Sequence, residues 1–454
     1  MKIISVNPYN EEKLQEYQLY DQDQVENCLL KAQSQFLLWK EVSLSKRTKL
    51  LKKLARALEN NKVKYGLLMT REVGKPISQS IAEIEKCIGL CKFYSKNAED
   101  FLADELIKTE ANESFISYDP LGVVLGIMPW NFPFWQVMRF AVPTITAGNT
   151  VLLKHASNVS GCALVIEELF LEVGYPEGCF QTLLVDHKKI ENLLQNNTVK
   201  AVSLTGSEEA GRKIAALAGK NLKKSVLELG GNNACIVLAD ANLDNYIDVM
   251  VNARMQNTGQ SCIAAKRFIV EEAIYDDFLK RFIEKVTNLK IGNPEDYSTQ
   301  IGVVAKEDLA IKLEKQIQDS LNMGALVAYG NKREKAFFQP TILTNIYHDM
   351  PVFTEETFGP VAPIIKVKDK DEAYQLASAT RFGLGTMIFT EDTEDAFERI
   401  GNIEDGAFFI NEMVKSDPRL PFGGTKASGY GRELSKEGIL EFVNKKTVYI
   451  NNGK

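Results

Sequence analysis

Residues 201–217 read AVSLTGSEEAGRKIAAL, and this stretch decides the fold class. The apolar run Ala201–Leu204 is too short for a helix and predicts a buried strand. A Gly-Ser turn follows it, and helical spacing then extends over Glu208–Leu217. Similar runs, each followed by turn residues, occur at Val123–Ile127, Thr150–Leu153 and Val226–Leu229. This alternation predicts βαβ units on a mostly parallel sheet.

Beyond residue 230 a second series of the same elements begins. Its predicted strands are Cys235–Leu238, Arg267–Val270, Val361–Val367, Thr386–Thr390 and Ala407–Ile410, with helices at Ile274–Thr287 and Asp371–Ala379. Residues 23–105 instead show the spacing of helices, most clearly over Leu50–Leu58 and Ile81–Phe93. We therefore predict two α/β halves joined near residue 230, with a binding cleft between them.

The composition is that of a globular enzyme. The chain has 454 residues, enough for two or three domains, and is 45% hydrophobic and 25% charged. Its net charge of −6, with cations and anions interleaved, argues against a nucleic-acid surface. The N-terminus turns polar too early for a signal peptide, and no apolar run reaches the roughly 18–20 residues of a membrane span.

Cysteine and histidine usage indicates no metal site. The seven cysteines are scattered without metal-ligand spacing, and Cys87 and Cys91 stand four residues apart rather than as a CxxC pair. The chain has only three histidines, too few for a site built on imidazole ligands. We therefore expect an enzyme without a metal that works in a reducing cytoplasm.

A possible nucleophile follows a polar, glycine-containing turn in NTGQSC, residues 257–262. Glu228 ends an apolar strand one helical crossover upstream of Cys262. A thiolate is the strongest nucleophile among the side chains, and a nearby carboxylate can accept its proton. Alternatively, Cys262 is a small buried apolar residue, as most free cysteines are. These two residues alone leave both interpretations open.

Further motifs occur in a fixed order along the chain. They are Trp130-Asn131-Phe132-Pro133, Lys154 after Thr150–Leu153, Leu204-Thr205-Gly206-Ser207, Glu356-Thr357-Phe358-Gly359-Pro360 and Pro421-Phe422-Gly423-Gly424. Together with Glu228 and Cys262, they make the chain resemble an aldehyde dehydrogenase nearly end to end. The resemblance implies an α/β fold with a Rossmann-like cofactor domain, an α/β catalytic domain and a small β oligomerisation extension.

The resemblance also implies domain boundaries. Residues 1–106 and 123–230 correspond to the NAD(P)-binding domain and residues 231–432 to the catalytic domain. Residues 107–122 and 433–454 correspond to the oligomerisation segments, because Ser117–Pro120 and Thr447–Ile450 match the family's protruding sheet. A homodimer or a homotetramer is therefore expected, with no nucleic-acid or membrane partner.

In the family mechanism that this resemblance implies, Cys262 attacks the aldehyde carbon. The side-chain amide of Asn131 and the backbone N–H of Cys262 stabilise the oxyanion, and each such donor typically contributes about 3–4 kcal/mol. Glu228 then activates the water that hydrolyses the thioester. The chemistry needs no metal, in agreement with the cysteine and histidine pattern.

The chain contains neither GxGxxG nor a Walker P-loop, so the expected dinucleotide site rests on the resemblance. The implied cofactor residues are Trp130, Lys154, Ser157, Gly206, Ser207, Leu229, Glu356 and Phe358. Ser157 stands where NAD-preferring relatives commonly carry a glutamate that would repel a 2′-phosphate. We therefore predict that NADP is preferred and that NAD is possible. His155 either supplies a donor there or simply fills space.

The predicted substrate residues are Trp135, Arg139 and Ser416. We expect a helix that begins at Asn131 and carries Trp135 and Arg139 along one stripe. Succinate-semialdehyde dehydrogenases carry an arginine at the position of Arg139, where it would hold the distal carboxylate of the substrate. The alternative is that Arg139 pairs with a structural acid.

Ser416–Leu420 also resembles a short bacterial semialdehyde-oxidising branch, although two positions depart from relatives. Gln256 replaces a second carboxylate-binding arginine, which leaves Arg254 and Arg419 as candidates for that role. Ala264 replaces the second cysteine of some relatives, so a local disulfide switch is not expected. The predicted reaction is oxidation of succinate semialdehyde to succinate. The alternatives are a broader aliphatic or ω-carboxy aldehyde dehydrogenase and a cysteine hydrolase of thioesters or esters.

Overall fold

The computed structural model describes residues 2–452. Its first sheet has six strands, five of them parallel, in the order Gly429–Tyr430, Lys224–Glu228, Val199–Thr205, Val123–Met128, Thr150–His155 and Phe180–Thr182. Alternate residues enter different cores: Val124 faces one apolar cluster, whereas Val123 and Leu125 face another. Both faces of the sheet are covered, which explains the nearly continuous apolar runs of the sequence.

The second sheet has seven strands. Their order is Leu326–Tyr329, Thr341–Thr344, Val361–Val367, Arg267–Glu271, Ala234–Val237, Thr386–Phe389 and Phe408–Ile410. Only Leu326–Tyr329 is antiparallel to its neighbour. Five strands of the first sheet precede residue 230 and all seven strands of the second follow it, and Gly429–Tyr430 alone returns to the first sheet. The α/β fold class with two parallel sheets is confirmed.

Helices cover both sheets. Leu44–Val73 and Ile77–Phe101 pack against each other after a turn at Gly74, whose φ of 80° is the left-handed conformation that glycine adopts at helix ends. The remaining α-helices are Gln22–Trp39, Trp135–Thr146, Ser160–Glu172, Ile190–Gln195, Glu208–Lys220, Leu243–Met255, Glu272–Thr287, Glu307–Asn322, Pro351–Thr354, Lys370–Ser378, Thr393–Glu398 and Ser435–Leu440. The short 3₁₀ helices are Ser157–Val159, His187–Lys189, Gln256–Gly259 and Ile400–Asn402.

A small antiparallel sheet has two of its three strands in the predicted oligomerisation segments, and the third, Glu105–Leu106, directly precedes the first segment. Val443–Ile450 pairs along its whole length with Glu113–Pro120, which also pairs with Glu105–Leu106. Val443–Ile450 is an edge strand of this sheet among residues 2–452. An exposed edge of this kind is a place where another chain can pair. Residues 453 and 454 of the predicted C-terminal segment lie outside the described residues.

Three short antiparallel pairings complete the described strands: Lys2–Val6 with Lys13–Gln18, Arg333–Glu334 with Phe337–Phe338, and Phe382–Gly383 with Thr425–Lys426. Gly429–Tyr430 joins the first sheet, although it lies within the segment 231–432 that was assigned to the catalytic domain. The chain therefore returns to the first sheet before residue 432. Within residues 2–452, none of the helices has the length and apolar character needed to cross a membrane.

Candidate active site

Several predicted site residues meet at the carboxyl ends of the strands of the first sheet. Val123–Met128 leads to Trp130 and Asn131, and Val199–Thr205 leads to Gly206. Ligands of open α/β sheets bind at this edge. A cleft of about 870 Å³ opens here. The predicted residues that line it are Trp130, Asn131, Gly206, Ser207, Leu229, Cys262, Glu356 and Phe358.

The turn that carries Cys262 has an unusual backbone. Asn257, Thr258 and Gly259 all have positive φ, of 54°, 54° and 74°. Such values in non-glycine residues cost of order 1–3 kcal/mol each and persist only where surrounding contacts hold them. Here the side chain of Asn257 donates to the Asn131 carbonyl at 2.8 Å, and the Thr258 hydroxyl accepts from the Gly302 N–H at 3.2 Å. The nucleophile turn is thus fixed from two sides.

Arg254 holds this turn in place through hydrogen bonds to backbone carbonyls. Its guanidinium donates to the carbonyls of Gly259 at 2.9 Å, Thr357 at 3.1 Å and Ala265 at 3.0 Å, and also to that of Gly359. Arg254 is fully buried. These bonds argue against Arg254 as the second carboxylate anchor, because both terminal nitrogens join the nucleophile turn to the Thr357–Gly359 segment and only the buried Nε has no partner.

Cys262 lies at the wall of the cleft and is partly exposed. Burial raises the pKa of its thiol to about 11, and the cations of Arg139 and Lys266 act in the opposite direction. The Cys262 carbonyl accepts from Asn233 at 3.1 Å and from Lys266 at 3.2 Å. In the structure without ligands the thiol form therefore predominates at neutral pH.

Glu228 is 2% exposed, and neither of its carboxylate oxygens has a hydrogen-bond partner. Burial, and next the charge of Glu433, raise its pKa well above the ordinary value, while Arg139 and Arg432 lower it. Glu228 is close enough to Cys262 for its charge to raise the pKa of that thiol. A buried carboxyl group without partners is unusual, and it is free to engage a water or a substrate.

Asn131 does not begin a helix, which corrects the sequence prediction. The helix begins at Trp135, and the buried carboxylate of Glu83 accepts from the backbone N–H groups of Phe134 and Trp135, each at 2.8 Å. Lys75 forms a buried ion pair with Glu83. Because this distant acid caps the helix, the Asn131 side chain is not used as a cap. It donates instead to the Gln260 carbonyl at 3.1 Å, two residues before Cys262.

His155 contacts the backbone of the segment 131–134, which carries Asn131. Its Nε2 lies 3.0 Å from the Pro133 carbonyl oxygen, and its Nδ1 lies 3.0 Å from the Ala156 backbone nitrogen. Burial lowers the pKa of His155 to about 4, so the ring is neutral at physiological pH. Of the two roles left open by the sequence, the structure places His155 in a bridge between backbone segments.

The cleft has the features that a nicotinamide dinucleotide needs. Ser207 caps the helix Glu208–Lys220, whose N-terminus therefore faces the cleft with its positive dipole end. Glu356 accepts from the Gly231 N–H at 3.2 Å and from Lys266 at 3.1 Å. The rings of Trp130 and Phe358 meet edge to face at 5.8 Å. A volume of about 870 Å³ is within the range of cofactor pockets.

Lys154 and Ser157 lie on the adjacent strand end, outside the residues that line this cleft. Lys154 is partly buried, and Ser157 is exposed at the start of a 3₁₀ helix. Burial, followed by the charge of Lys306, lowers the pKa of Lys154. Lys306 belongs to the other half of the chain, so cations from both halves lie close to this strand end.

The structure brings together two of the three predicted substrate residues. The indole N–H of Trp135 donates to the Ser416 hydroxyl at 3.1 Å. Arg139, in contrast, forms a buried ion pair with Glu433, stacks 4.6 Å from the Phe422 ring centroid and lies 3.4 Å from the Thr205 hydroxyl. These contacts use Nε and one terminal nitrogen of the guanidinium, so Arg139 does pair with a structural acid, and its contact with a substrate carboxylate stays a prediction.

Arg419, the other candidate for the second carboxylate anchor, lies at the surface. Its side chain is 77% exposed and pairs with Asp417 at 2.6 Å. Sequence reasoning missed Lys266, whose ammonium group contacts the carbonyls of Ser261 and Cys262 as well as Glu356. The sequence carried a signal for it, because Lys266 directly precedes the strand Arg267–Glu271 and lies close to the nucleophile along the chain.

Comparison with known sequences decides the family. A sequence profile described as the Aldehyde dehydrogenase family matches residues 1–448. The chain belongs to the aldehyde dehydrogenase family. A relative from Synechocystis sp., named probable succinate-semialdehyde dehydrogenase (NADP+), is 46% identical over 453 residues, which span 99% of this chain and 100% of that protein.

Two further comparisons agree with this assignment. A Mycobacterium tuberculosis protein named succinate-semialdehyde dehydrogenase (NADP+) 1 is 43% identical over 456 residues, covering 99% of this aldehyde dehydrogenase and 100% of the relative. The crystal structure of succinic semialdehyde dehydrogenase from Streptococcus pyogenes, in complex with NADP+, superposes with a TM-score of 0.97. It has 35% sequence identity and covers 99% of this chain and 100% of the other.

The buried ion pair between Arg139 and Glu433 leads to a testable prediction. Arg139→Met should destabilise the enzyme, because removing one partner of a buried ion pair typically costs about 3–5 kcal/mol. It should also slow the oxidation of charged and uncharged aldehydes alike, since the Glu433 charge left behind lies close to Glu228. Chemical denaturation and steady-state kinetics measure the two effects. The double variant Arg139→Met/Glu433→Gln should regain stability. A loss confined to carboxylate-bearing aldehydes would show that Arg139 is their anchor.

Proposed function

We propose that this aldehyde dehydrogenase oxidises succinate semialdehyde to succinate with NADP+. The observation that carries the proposal is that Cys262 and Asn131 line one cleft with features suited to a dinucleotide, while the unpartnered carboxyl group of Glu228 lies close enough to raise the pKa of Cys262. The printed names of the Synechocystis and mycobacterial relatives support the substrate and the cofactor. The Trp135–Ser416 pair supports a substrate with a polar distal end.

The reaction begins when the partly exposed Cys262 thiol loses its proton to solvent and the thiolate adds to the aldehyde carbon. The Asn131 amide and the Cys262 backbone N–H donate hydrogen bonds to the resulting oxyanion. NADP+, when bound, supplies the hydride acceptor that converts this thiohemiacetal into a thioester. Glu228 then accepts a proton from the water that attacks the thioester carbon, and Cys262 leaves as the thiolate.

The resting state of Glu228 gives this step a pH dependence. Its raised pKa means that it keeps its proton to a higher pH than an ordinary glutamate does. Glu228 must lose that proton before it can accept another from water, so thioester hydrolysis becomes faster as pH rises. The nearby Arg139 cation favours the ionised form. We therefore attribute to Arg139 an electrostatic part in hydrolysis.

The choice of NADP+ over NAD+ is attributed to the strand end that carries Lys154 and Ser157. A 2′-phosphate placed there would meet the cations of Lys154 and Lys306 and a hydroxyl donor from Ser157. No carboxylate stands at position 157 to repel it. The same arrangement leaves room for the hydroxyl of NAD+, which is why NAD+ remains possible as a weaker cofactor.

Ser157→Glu should therefore weaken NADP+ binding selectively. Two like unit charges about 4 Å apart repel each other by roughly 1 kcal/mol in water and roughly 4 kcal/mol near a protein surface, where the effective dielectric constant is lower. NAD+ binding should change little or improve, since NAD+ lacks the 2′-phosphate. Titrations of both dinucleotides against Ser157→Glu and the neutral control Ser157→Gln measure the difference. Retention of the NADP+ preference by Ser157→Glu would assign cofactor choice to other residues.

The proposed activity is tested with a panel of aldehydes of equal chain length. Purified enzyme is assayed with succinate semialdehyde and butanal, each with NADP+ and NAD+ separately. We expect the highest kcat/KM for succinate semialdehyde with NADP+. Equal values for the two aldehydes would favour the broader aliphatic dehydrogenase. Hydrolysis of esters with no dinucleotide reduction by any aldehyde would favour the cysteine hydrolase.

We further propose a homodimer or homotetramer and a cytoplasmic location. The edge strand Val443–Ile450 supports pairing with a second copy, and deletion of residues 443–454 should then lower the mass measured by light scattering to that of a monomer. The seven free cysteines, five of them buried, support a reducing compartment. Fractionation of cells that express the tagged chain tests the location.

A further inference from the structure

The two oxyanion donors of the proposed mechanism lie on segments from different halves of the chain. The Asn131 amide follows the strand Val123–Met128, whereas the Cys262 N–H follows the strained turn at residues 257–259. Neither segment alone fixes the distance between these donors, and a misplacement of about 1 Å in a reacting site can cost roughly 10²-fold in rate. The oxyanion hole therefore depends on groups that hold the two segments together.

Direct hydrogen bonds join the two segments. One N–H of the Asn131 amide donates to the Gln260 carbonyl at 3.1 Å, and an amide has a second N–H that can face the oxyanion. The Asn257 side chain donates to the Asn131 carbonyl at 2.8 Å and to the Gln260 carbonyl at 3.2 Å. Asn257 thus fixes both the backbone of Asn131 and the carbonyl that holds its amide.

Gln79 holds Asn257 from outside these two segments. It lies in the first turn of the helix Ile77–Phe101, and its Oε1 accepts from the Asn257 backbone N–H at 2.6 Å. Its Nε2 donates to the Gln300 carbonyl at 3.1 Å, so both ends of the Gln79 amide are engaged. Asn257 is fully buried and has a φ of 54°, a conformation that persists only where contacts hold it.

The same face of this helix also holds the other segment. Glu83 follows Gln79 by four residues, which places both side chains on one side of the helix. Its carboxylate accepts from the backbone N–H groups of Phe134 and Trp135, each at 2.8 Å, shortly after Asn131. One helix face therefore contacts both segments that supply the oxyanion donors.

We propose that Gln79 is a positioning residue for the oxyanion hole. It fixes Asn257, and through Asn257 it sets the place of the Asn131 amide relative to Cys262. Gln79 does not line the cleft, so its effect on the reaction passes through these residues. The inference rests on the proposed function, because it concerns the step in which an oxyanion forms at the aldehyde carbon.

Gln79→Met keeps the length of the side chain but removes the acceptor for the Asn257 N–H. With enzyme in excess over succinate semialdehyde, its single-turnover rate of NADPH formation should fall roughly ten- to a hundredfold. NADP+ affinity and the thermal unfolding midpoint should change little. Gln79→Glu keeps an acceptor and should retain most of the rate. Gln318→Met, the same change at an exposed glutamine on the helix Glu307–Asn322, is the matched control and should behave as wild type.

A double-mutant cycle with Asn131 distinguishes positioning from general support of the fold. Asn131→Ala removes the donor itself and should slow the single turnover about 10²–10³-fold. Gln79→Met/Asn131→Ala should stay within about threefold of Asn131→Ala, because the group that Gln79 positions is already absent. Losses that multiply in the double variant would overturn the proposal.

Alkylation of Cys262 by iodoacetamide separates the oxyanion donor from the nucleophile. The thiolate forms a C–S bond as iodide leaves, and no negative charge develops on a carbonyl oxygen, so the reaction does not need the Asn131 amide. Gln79→Met should therefore alkylate Cys262 at close to the wild-type rate, measured by mass spectrometry of its peptide. A fall as large as that in aldehyde oxidation would show that Gln79 acts on the thiol and would overturn its role in the oxyanion hole.

The role of Gln79 and the proposed function fail separately. A normal single-turnover rate in Gln79→Met, together with a slow Asn131→Ala, would overturn the role of Gln79 alone. A wild-type rate in Asn131→Ala would overturn the proposed mechanism and the positioning role with it. If Gln79→Met does not fold, Gln79→Asn, whose amide is one methylene too short to reach Asn257, gives the same comparison.

Discussion

Replacement of Cys262 by alanine is expected to lower dehydrogenase activity by on the order of 10⁴-fold or more. The thiolate makes the covalent bond through which the aldehyde is oxidised, and no other cysteine lines the cleft. NADP+ affinity and the midpoint of thermal unfolding should change little, since the Cys262 side chain caps no helix and bridges no ion pair. NADPH absorbance, cofactor titration and calorimetry measure the three quantities.

Cys28→Ser is the matched control for this variant, because Cys28 is also partly exposed but lies on the helix Gln22–Trp39, outside the cleft. It should keep wild-type activity. Substantial turnover by Cys262→Ala would contradict covalent catalysis at this residue. Loss of NADP+ binding together with activity would mean that the alanine disturbs the strained turn at residues 257–259 rather than the chemistry.

Glu228→Gln is expected to separate the two halves of the reaction. Steady-state turnover should fall roughly 10²–10⁴-fold, the usual contribution of a general base. The first turnover should remain fast, so stopped-flow absorbance should show a burst of NADPH followed by a slow phase. The amide keeps the size of the carboxyl group, which has no hydrogen-bond partner to lose. A variant without a burst would place Glu228 before hydride transfer.

Stability gives an independent check on Glu228. Its pKa is raised in the folded state, so folding favours the protonated form. The contribution of that proton to the free energy of unfolding is fully present below the pKa that Glu228 has in the unfolded chain. It is lost as pH rises through the pKa that Glu228 has in the folded state. Glu228→Gln cannot ionise and should be increasingly more stable than wild type at alkaline pH. Identical pH profiles of the unfolding midpoint would contradict the raised pKa.

The sequence predicts the two sheets because each depends on local patterns. Short apolar runs followed by turn residues became strands at nearly the expected bounds, such as Val361–Val367. The meeting of Asn131 and Cys262 at one cleft followed from motif order through the family resemblance. Glu228 was expected beside them for the same reason, since Lys224–Glu228 is a strand of the parallel sheet that forms one side of this site.

What the sequence could not predict depends on pairs that are distant along the chain. Gln79 and Asn257 are 178 residues apart, and Arg139 and Glu433 are 294 residues apart. Helical spacing predicted the helix face on which Arg139 lies but contained no information about the acid with which it forms an ion pair. The start of the helix at Trp135 was missed for the same reason, because its capping carboxylate comes from Glu83 on another helix.

The proposed mechanism requires that an aldehyde acylates Cys262 in a step that needs the dinucleotide, and that Glu228 releases the acid. Peptide mass spectrometry of Glu228→Gln, quenched during the slow phase with succinate semialdehyde and NADP+, tests it most directly. We predict a succinyl group on the peptide that carries Cys262, absent when NADP+ is omitted. No adduct, an adduct on another cysteine, or an adduct formed without NADP+ would contradict the account.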